Sequence, residues 1–167
     1  FARNKGGGGR SLVPNGQGNW ESMDLSVVAQ HFFTGTDYEI VDWAYAEDPW
    51  GIVWVVRADG SLLSLTYSQA DEMWAWAQHD IAGGAVRAVC CVPEGAEDAV
   101  YLAVERIALD QDGVSTSILF IERMASRVRR GLVTDDICLD AAVQFSGAPS
   151  RTLAPAGLAE LEGLEVY

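Results

Sequence analysis

Cysteine is scarce, basic residues are outnumbered, and long apolar runs are missing. The three cysteines, Cys90, Cys91 and Cys138, are an odd number with no Cys-x-x-Cys or metal-ligand spacing. That excludes a disulfide framework or a zinc cluster as the organising feature. Cys90 and Cys91 are adjacent in a strand-like run and so face opposite sides. They read as small buried hydrophobes of a protein made in a reducing cytoplasm. Lysine and arginine number 11 against 24 aspartates and glutamates, for a net charge of −13. Such a balance argues against binding nucleic acid by phosphate neutralisation. It favours solubility, and on a wall built from many copies it would let DNA pass without sticking. No run approaches the ~18–20 apolar residues of a membrane span. The opening FARNKGGGGR lacks the apolar core of a signal peptide. A start at Phe1 and a strand-like ending at Leu164–Tyr167 are what a piece of a longer polypeptide would show.

What is present is β-sheet grammar. Ile52 to Asp80 reads as three consecutive antiparallel strands. Val53 and Val55 alternate with Trp54 and Val56 along a β-branched and aromatic run suited to a pleated surface. Asp59-Gly60 follows at once and predicts a tight hairpin with a primed turn. Ser61 to Tyr67 returns, with Leu63 and Leu65 on one face and Leu62, Ser64 and Thr66 on the other. Ser68 to Glu72 can turn the chain. Met73 to Asp80 supplies a third strand, with Trp74 and Trp76 on one face needing a broad surface to pack against. Glu39 to Tyr45 opens this unit, and the polar Glu47-Asp48-Pro49 separates it from the next strand.

A second unit repeats the pattern. Ala85 to Val92 is a strand, broken by Pro93-Glu94-Gly95 and Glu97-Asp98. Ala99 to Arg106 follows, then a turn at Asp110–Gly113, then Thr116 to Glu122. The interval of roughly 40–50 residues is that of β-propeller blades, and an ordinary antiparallel meander or sandwich would share the pattern. The expected fold is therefore mainly all-β, with antiparallel propeller-like blades and one short N-terminal helix. Residues 1–37 form a glycine-rich arm and a helix over Met23–Phe33. That helix has Leu25, Val28, Ala29 and Phe32 as its apolar stripe, Ser22 or Asp24 as cap and Gly35 as stop. Residues 38–124 hold the two blade-like units. Residues 125–167 are a connector and the start of a further β region, with a strand at Cys138–Phe145, a turn at Ser146–Pro149 and a helical turn at Leu158–Leu161.

Candidate chemistry is thin. Gly6 to Gly9 has no preceding strand and no following Gly-Lys-Ser/Thr, so it reads as a loop rather than a phosphate cradle. Asp110-x-Asp112-Gly113 lacks the remaining ligands of a calcium loop. His31 and His79 lie in different elements with no metal-binding spacing; one should end the helix and the other a strand. The doublets Glu47-Asp48, Glu97-Asp98 and Asp135-Asp136 fall in predicted turns and read as solvated charge rather than a glycosidase pair. No nucleophile elbow is present. Arg127, Arg129 and Arg130 are the one basic cluster, an exposed loop or a contact for a neighbour's acidic surface. No catalytic, cofactor-binding or metal-binding residue is assigned.

The ordered words MDLSVVAQHFF, IVDWAYAEDPWGIVWVVRADGSLLSLTY, MWAWAQHD, VRAVCCVPEGAEDAVYLAVER, LFIERM and SGAPSRTLAPAGLAELEGLEV resemble the tail nozzle family of short-tailed phages. This family is also called tail tubular protein B or the stabilisation protein. The resemblance spans roughly residues 22–166 and leaves the glycine-rich start without a counterpart. It implies a β-propeller with inserted domains within a larger, non-enzymatic virion protein, without cofactors. It implies a homohexameric ring below the portal and adaptor that holds DNA in and releases it into the host. The implied partners are adaptor, fibres or spikes, and DNA passing unbound through the lumen, without stable membrane insertion. The implied place is the virion tail, assembled in the bacterial cytoplasm. A propeller domain that binds or cleaves carbohydrate is the alternative, with carboxylates converging beside Trp50, Trp54 or Trp74. An adaptor or plug is a third.

Overall fold

The computed structural model describes residues 2–3, 8–68, 70–71, 73–109, 114–128 and 131. Among the described residues, ten strands make three antiparallel sheets, joined by one 3-10 helix, Val27–Phe32. The first joins β1 (Ala2–Arg3), β2 (Gly9–Pro14) and β3 (Trp20–Asp24). The second is a meander of β4 (Ile40–Ala46), β5 (Ile52–Arg57), β6 (Leu62–Ser68) and β7 (Met73–His79), paired in chain order. The third pairs β8 (Gly84–Glu94), β9 (Glu97–Leu109) and β10 (Ser115–Arg123), also in chain order.

The four-stranded meander is the middle layer. Val53, Val55, Leu63 and Leu65, with Ile40 of β4, pack against Leu25 and Phe33 of the N-terminal unit. Trp54, Val56 and Leu62 pack on the opposite face against Val86, Val89, Val100, Leu102 and Val104 of the third sheet. Burial on both faces explains why IVWVV and LL read as continuous apolar runs rather than strict alternation. Val53, Val55, Val56, Leu62, Leu63 and Leu65 are each 2% exposed or less. Each such side chain contributes about 1.5–3 kcal/mol on burial.

The seven strands expected between residues 39 and 122 are all present. Both first strands of the meanders carry a register shift, between Ile40 and Asp42 in β4 and between Val86 and Ala88 in β8. The shifts begin at residues 40 and 86, 46 positions apart, so the repeat extends to a backbone irregularity. The strands β4 and β8 lie side by side and run in the same direction. The Asp42 carboxylate accepts from Val89 N at 2.9 Å, and further along Asp48 O accepts from Asp98 N at 3.1 Å. The described residues form two stacked meanders, without a closed ring.

Four expectations are corrected. The Asp59-Gly60 hairpin is a three-residue loop rather than a primed two-residue turn. Gly60 N donates to Arg57 O and Arg57 N to Ser61 O, both at 3.0 Å, and only Gly60 takes a positive φ, +88°. That is a type I turn closed by a glycine bulge, and the Asp59 carboxylate holds it by accepting from Ser61 N at 3.0 Å.

The break expected at residues 93–98 is instead a tight hairpin. Pro93 stays in β8, Glu94 faces Glu97, and Gly95 turns the chain at φ +65°. Proline is tolerated there because β8 is an edge strand.

The N-terminal arm is not structureless over residues 9–24. It folds as the β2–β3 hairpin, closed by Asn15 Oδ1 accepting from Gln17 N at 3.2 Å and Asn19 N at 3.0 Å.

The expected helix shrinks to Val27–Phe32. Met23 ends up in β3, and the Asp24 carboxylate accepts from Ser26 N at 2.8 Å. The buried row is Leu25, Ala29 and Phe33, while Val28 is 76% exposed. The stiff Val27-Val28 pair suits a short tight turn better than a continuous amphipathic helix. Expectations for Asp110–Gly113, for the strand at Cys138–Phe145 and for the turns beyond it lie outside the described residues.

Candidate functional site

Two of the acidic doublets meet at the junction of the two meanders. Glu97 and Asp98 begin β9, and Glu47 and Asp48 follow β4. Asp98 Oδ2 accepts from Glu47 N at 2.7 Å and Asp48 N at 3.2 Å. Arg127 donates from Nη2 to Asp48 O at 2.9 Å and Asp98 O at 3.4 Å, and from Nη1 to Trp50 O at 3.4 Å. Glu97 is only 6% exposed. It accepts from Arg123 Nη2 at 3.2 Å and from the Ser126 hydroxyl at 2.7 Å. Arg123 also donates to Glu94 at 3.0–3.1 Å, and the Tyr101 hydroxyl donates to Glu94 at 2.5 Å.

The electrostatics follow from this pairing. The Tyr101 hydroxyl and then Arg123 hold the Glu94 carboxyl below its ordinary range, while the same carboxylate holds the Tyr101 phenol above its own. Burial, with Asp98 adding to it, pushes the nearby Cys91 thiol up to about 11. Glu97-Asp98 are therefore strand residues in structural bonds, a correction to their reading as solvated loop charge. Glu47-Asp48 do lie in an exposed turn, but that turn is tied down. A shallow depression runs over Glu97–Val100 and Arg123–Arg127. Its carboxylates are engaged, Glu97 by arginine and hydroxyl donors and Asp98 by backbone amides, an arrangement suited to locking two sheets together. Asp135-Asp136, Arg129 and Arg130 lie outside the described residues, and Arg127 is engaged within its own chain.

One nucleophile-and-base arrangement escaped the sequence reading. Ser64 Oγ and His79 Nε2 are 2.8 Å apart, across the β6–β7 ladder, a distance that Ser–His catalysis uses. Its surroundings are those of a core. Ser64 is buried, and the Trp54 ring lies 5.2 Å from the imidazole. Burial lowers the His79 pKa, partly opposed by Asp80, so the ring favours its neutral form. The pair satisfies two polar groups at the rim of the inter-sheet core. Trp54 Nε1, buried in the same core, has no hydrogen-bond partner. His79 ends β7 and His31 lies in the last turn of the 3-10 helix, both as expected.

Arg57 makes a second lock. Its buried guanidinium binds both carboxylate oxygens of Asp59, donates to Phe32 O at 2.9 Å and stacks 3.9 Å from the Tyr38 ring. Burial raises the Asp59 pKa, but the Arg57 and Ser61 hydrogen bonds outweigh it and the net shift is downward.

The tryptophans divide. Trp54 is buried between sheets, and Trp74 and Trp76 pack over the other core, with Trp76 Nε1 donating to Leu25 O at 2.8 Å. Trp50 is 55% exposed. The three tryptophans expected around a sugar pocket thus lie in separate environments. The cysteines divide too: Cys91 is half-buried, but Cys90 is exposed, which corrects its reading as a buried hydrophobe. Cys138 lies outside the described residues. Among the described residues no three metal-capable side chains cluster, and no helix is long and apolar enough to cross a membrane. No family model matches the chain, and no curated protein matches it.

Proposed function

We propose that this chain is a structural segment of a phage tail nozzle, a rigid stretch of the wall around a DNA channel. The observation that carries the reading is the stacking of two consecutive meanders with β4 and β8 side by side and in the same direction. That is how neighbouring blades of a propeller meet. The ordered sequence words add the family to which such blades would belong. The paired junction at Asp98, Arg127 and Glu97 suits a part whose task is to hold shape under load. In this reading the chain does no covalent chemistry and uses no cofactor. It assembles as a hexameric ring with the adaptor above and fibres or spikes beside it, and its acidic surface lets DNA slide.

The carbohydrate reading retains one observation, the half-exposed Trp43, Tyr45 and Trp50 along and just beyond β4. Aromatic faces of that kind can stack on sugar rings. Gold-labelled antibody against this chain, applied to purified particles of the phage that encodes it, separates the two. Label at the distal tip of the tail is expected for a nozzle. Label on fibres or spikes, with binding of the protein to host glycans, would replace the nozzle with the carbohydrate reading. Particles without label would overturn both.

A further inference from the structure

We infer that the outer edge of β10 joins two copies of this chain. The two strands pair antiparallel about a two-fold axis at Phe120, so that the third sheet runs on from one copy into the other. Among the described residues, β10 spans nine residues and pairs only with β9. The described residues that follow it turn away from that edge. Met124 N donates to Val100 O in β9, the Ser126 hydroxyl bonds Glu97, and Arg127 reaches the carbonyls of Asp48 and Trp50 beyond β4. Protein edges are ordinarily guarded by lysine, proline or an inward charge. The strand β10 has no lysine and no proline. Its two charges are engaged within the sheet, Glu122 with Arg106, and Arg123 with Glu94 and Glu97.

The order of residues along the edge identifies the occupant. A two-fold axis normal to a sheet places opposed side chains of the two copies on the same face. With Phe120 on the axis, Leu119 of each copy faces Ile121 of the other. These side chains are 58% and 72% exposed. They lie opposite Glu105 and Ala103, on the face turned away from the middle sheet. Phe120 lies opposite Val104, on the face toward the middle sheet. There it meets Phe120 of the second copy, and aromatic pairs across strands are favourable. Ile118 then faces Glu122, and Ser117 faces Arg123. Like charges, which destabilise a pair when directly opposed, meet nowhere along this register. An edge complementary to itself is what an isologous contact requires. A head-to-tail contact that closes a ring would use other surfaces, so this inference and the nozzle reading stand or fall separately.

Sedimentation equilibrium of the full chain tests it. A concentration-dependent dimer is expected. Leu119→Lys, at an exposed position, should weaken it by about tenfold or more, since a lysine guards a strand edge against pairing. A parent chain that stays monomeric at every concentration would overturn the inference, as would an assembly that Leu119→Lys leaves intact. A monomer whose outward β10 amides resist hydrogen exchange would do so too, by assigning the edge to another part of the chain. Disulfide trapping then reads the register, in a background of Cys90→Ser, Cys91→Ala and Cys138→Ser. Chains carrying Leu119→Cys, mixed with chains carrying Ile121→Cys, should cross-link readily, because opposed Cα atoms lie ~4.5–5.5 Å apart. Either variant alone should cross-link several-fold more slowly, across a diagonal of ~7–8 Å. Cross-linking that is equal in mixed and separate samples, or absent from both, overturns the inference.

Discussion

Gly60 shows how one residue can carry two demands. It sits at φ +88°, and a Cβ built there would lie 2.7 Å from the Ala85 Cβ. Its carbonyl also accepts from Val86 N at 2.8 Å, tying the first hairpin to the second meander. Gly60→Ala is expected to destabilise the fold by about 2–4 kcal/mol, combining left-handed strain with a clash that backbone must relieve. Urea unfolding followed by tryptophan fluorescence measures it; an unchanged midpoint would show that the contact relaxes freely.

His79 makes the stability depend on pH. Its folded pKa lies below the ordinary 6.5, first because of burial. The unfolded chain therefore binds the proton more readily, and acid favours unfolding. The contribution is complete above pH 6.5 and is lost as pH falls through 6.5 toward the folded value. His79→Gln should flatten the stability profile between pH 7.5 and 5. A profile with the same slope in the variant would assign that dependence to other groups.

At the scale of elements, the strands between residues 39 and 122 were legible because their signals are local. Alternation placed Val53, Val55, Leu63 and Leu65 on one face, and Asp59-Gly60 marked the reversal. The turn type was not legible, because it depends on how Arg57 and Ser61 close the ladder. Nor was the role of Glu97, which is buried by Arg123 and Ser126, partners 26 and 29 residues further on. The β2–β3 hairpin hid in a glycine-rich stretch, although Asn15-Gly16 between SLVP and WESMD is a turn signal. Ser64 was seen only as a strand position, since its partner His79 comes from the neighbouring strand.

The Asp98 carboxylate gives a direct test of how the elements couple. Asp98→Ala leaves Glu47 N and Asp48 N without their acceptor, and an expected loss of about 1–2 kcal/mol follows. Hydrogen exchange should rise in the loop at residues 47–51 and leave β5 and β6 protected. Unchanged exchange in that loop would mean that Arg127 and the Asp98 N–H hold the junction by themselves.

For the whole molecule, β5 and β6 at the centre of the middle sheet are buried on both faces, while among the described residues the third sheet is covered on one. Its other face presents Ile107, Leu119 and Ile121 to solvent. The chain is also strongly acidic. The proposed wall segment of a closed ring would account for both: apolar faces would meet neighbouring sheets or subunits, and charge would face the lumen. Rings of this kind use head-to-tail contacts that close by rotation. The most direct test is the rotational symmetry of the assembled protein, read by electron cryo-microscopy of tails isolated from particles. Six copies of this fold around an axial channel at the distal end of the tail are expected; a monomer, or copies placed on fibres away from the channel, would contradict the account.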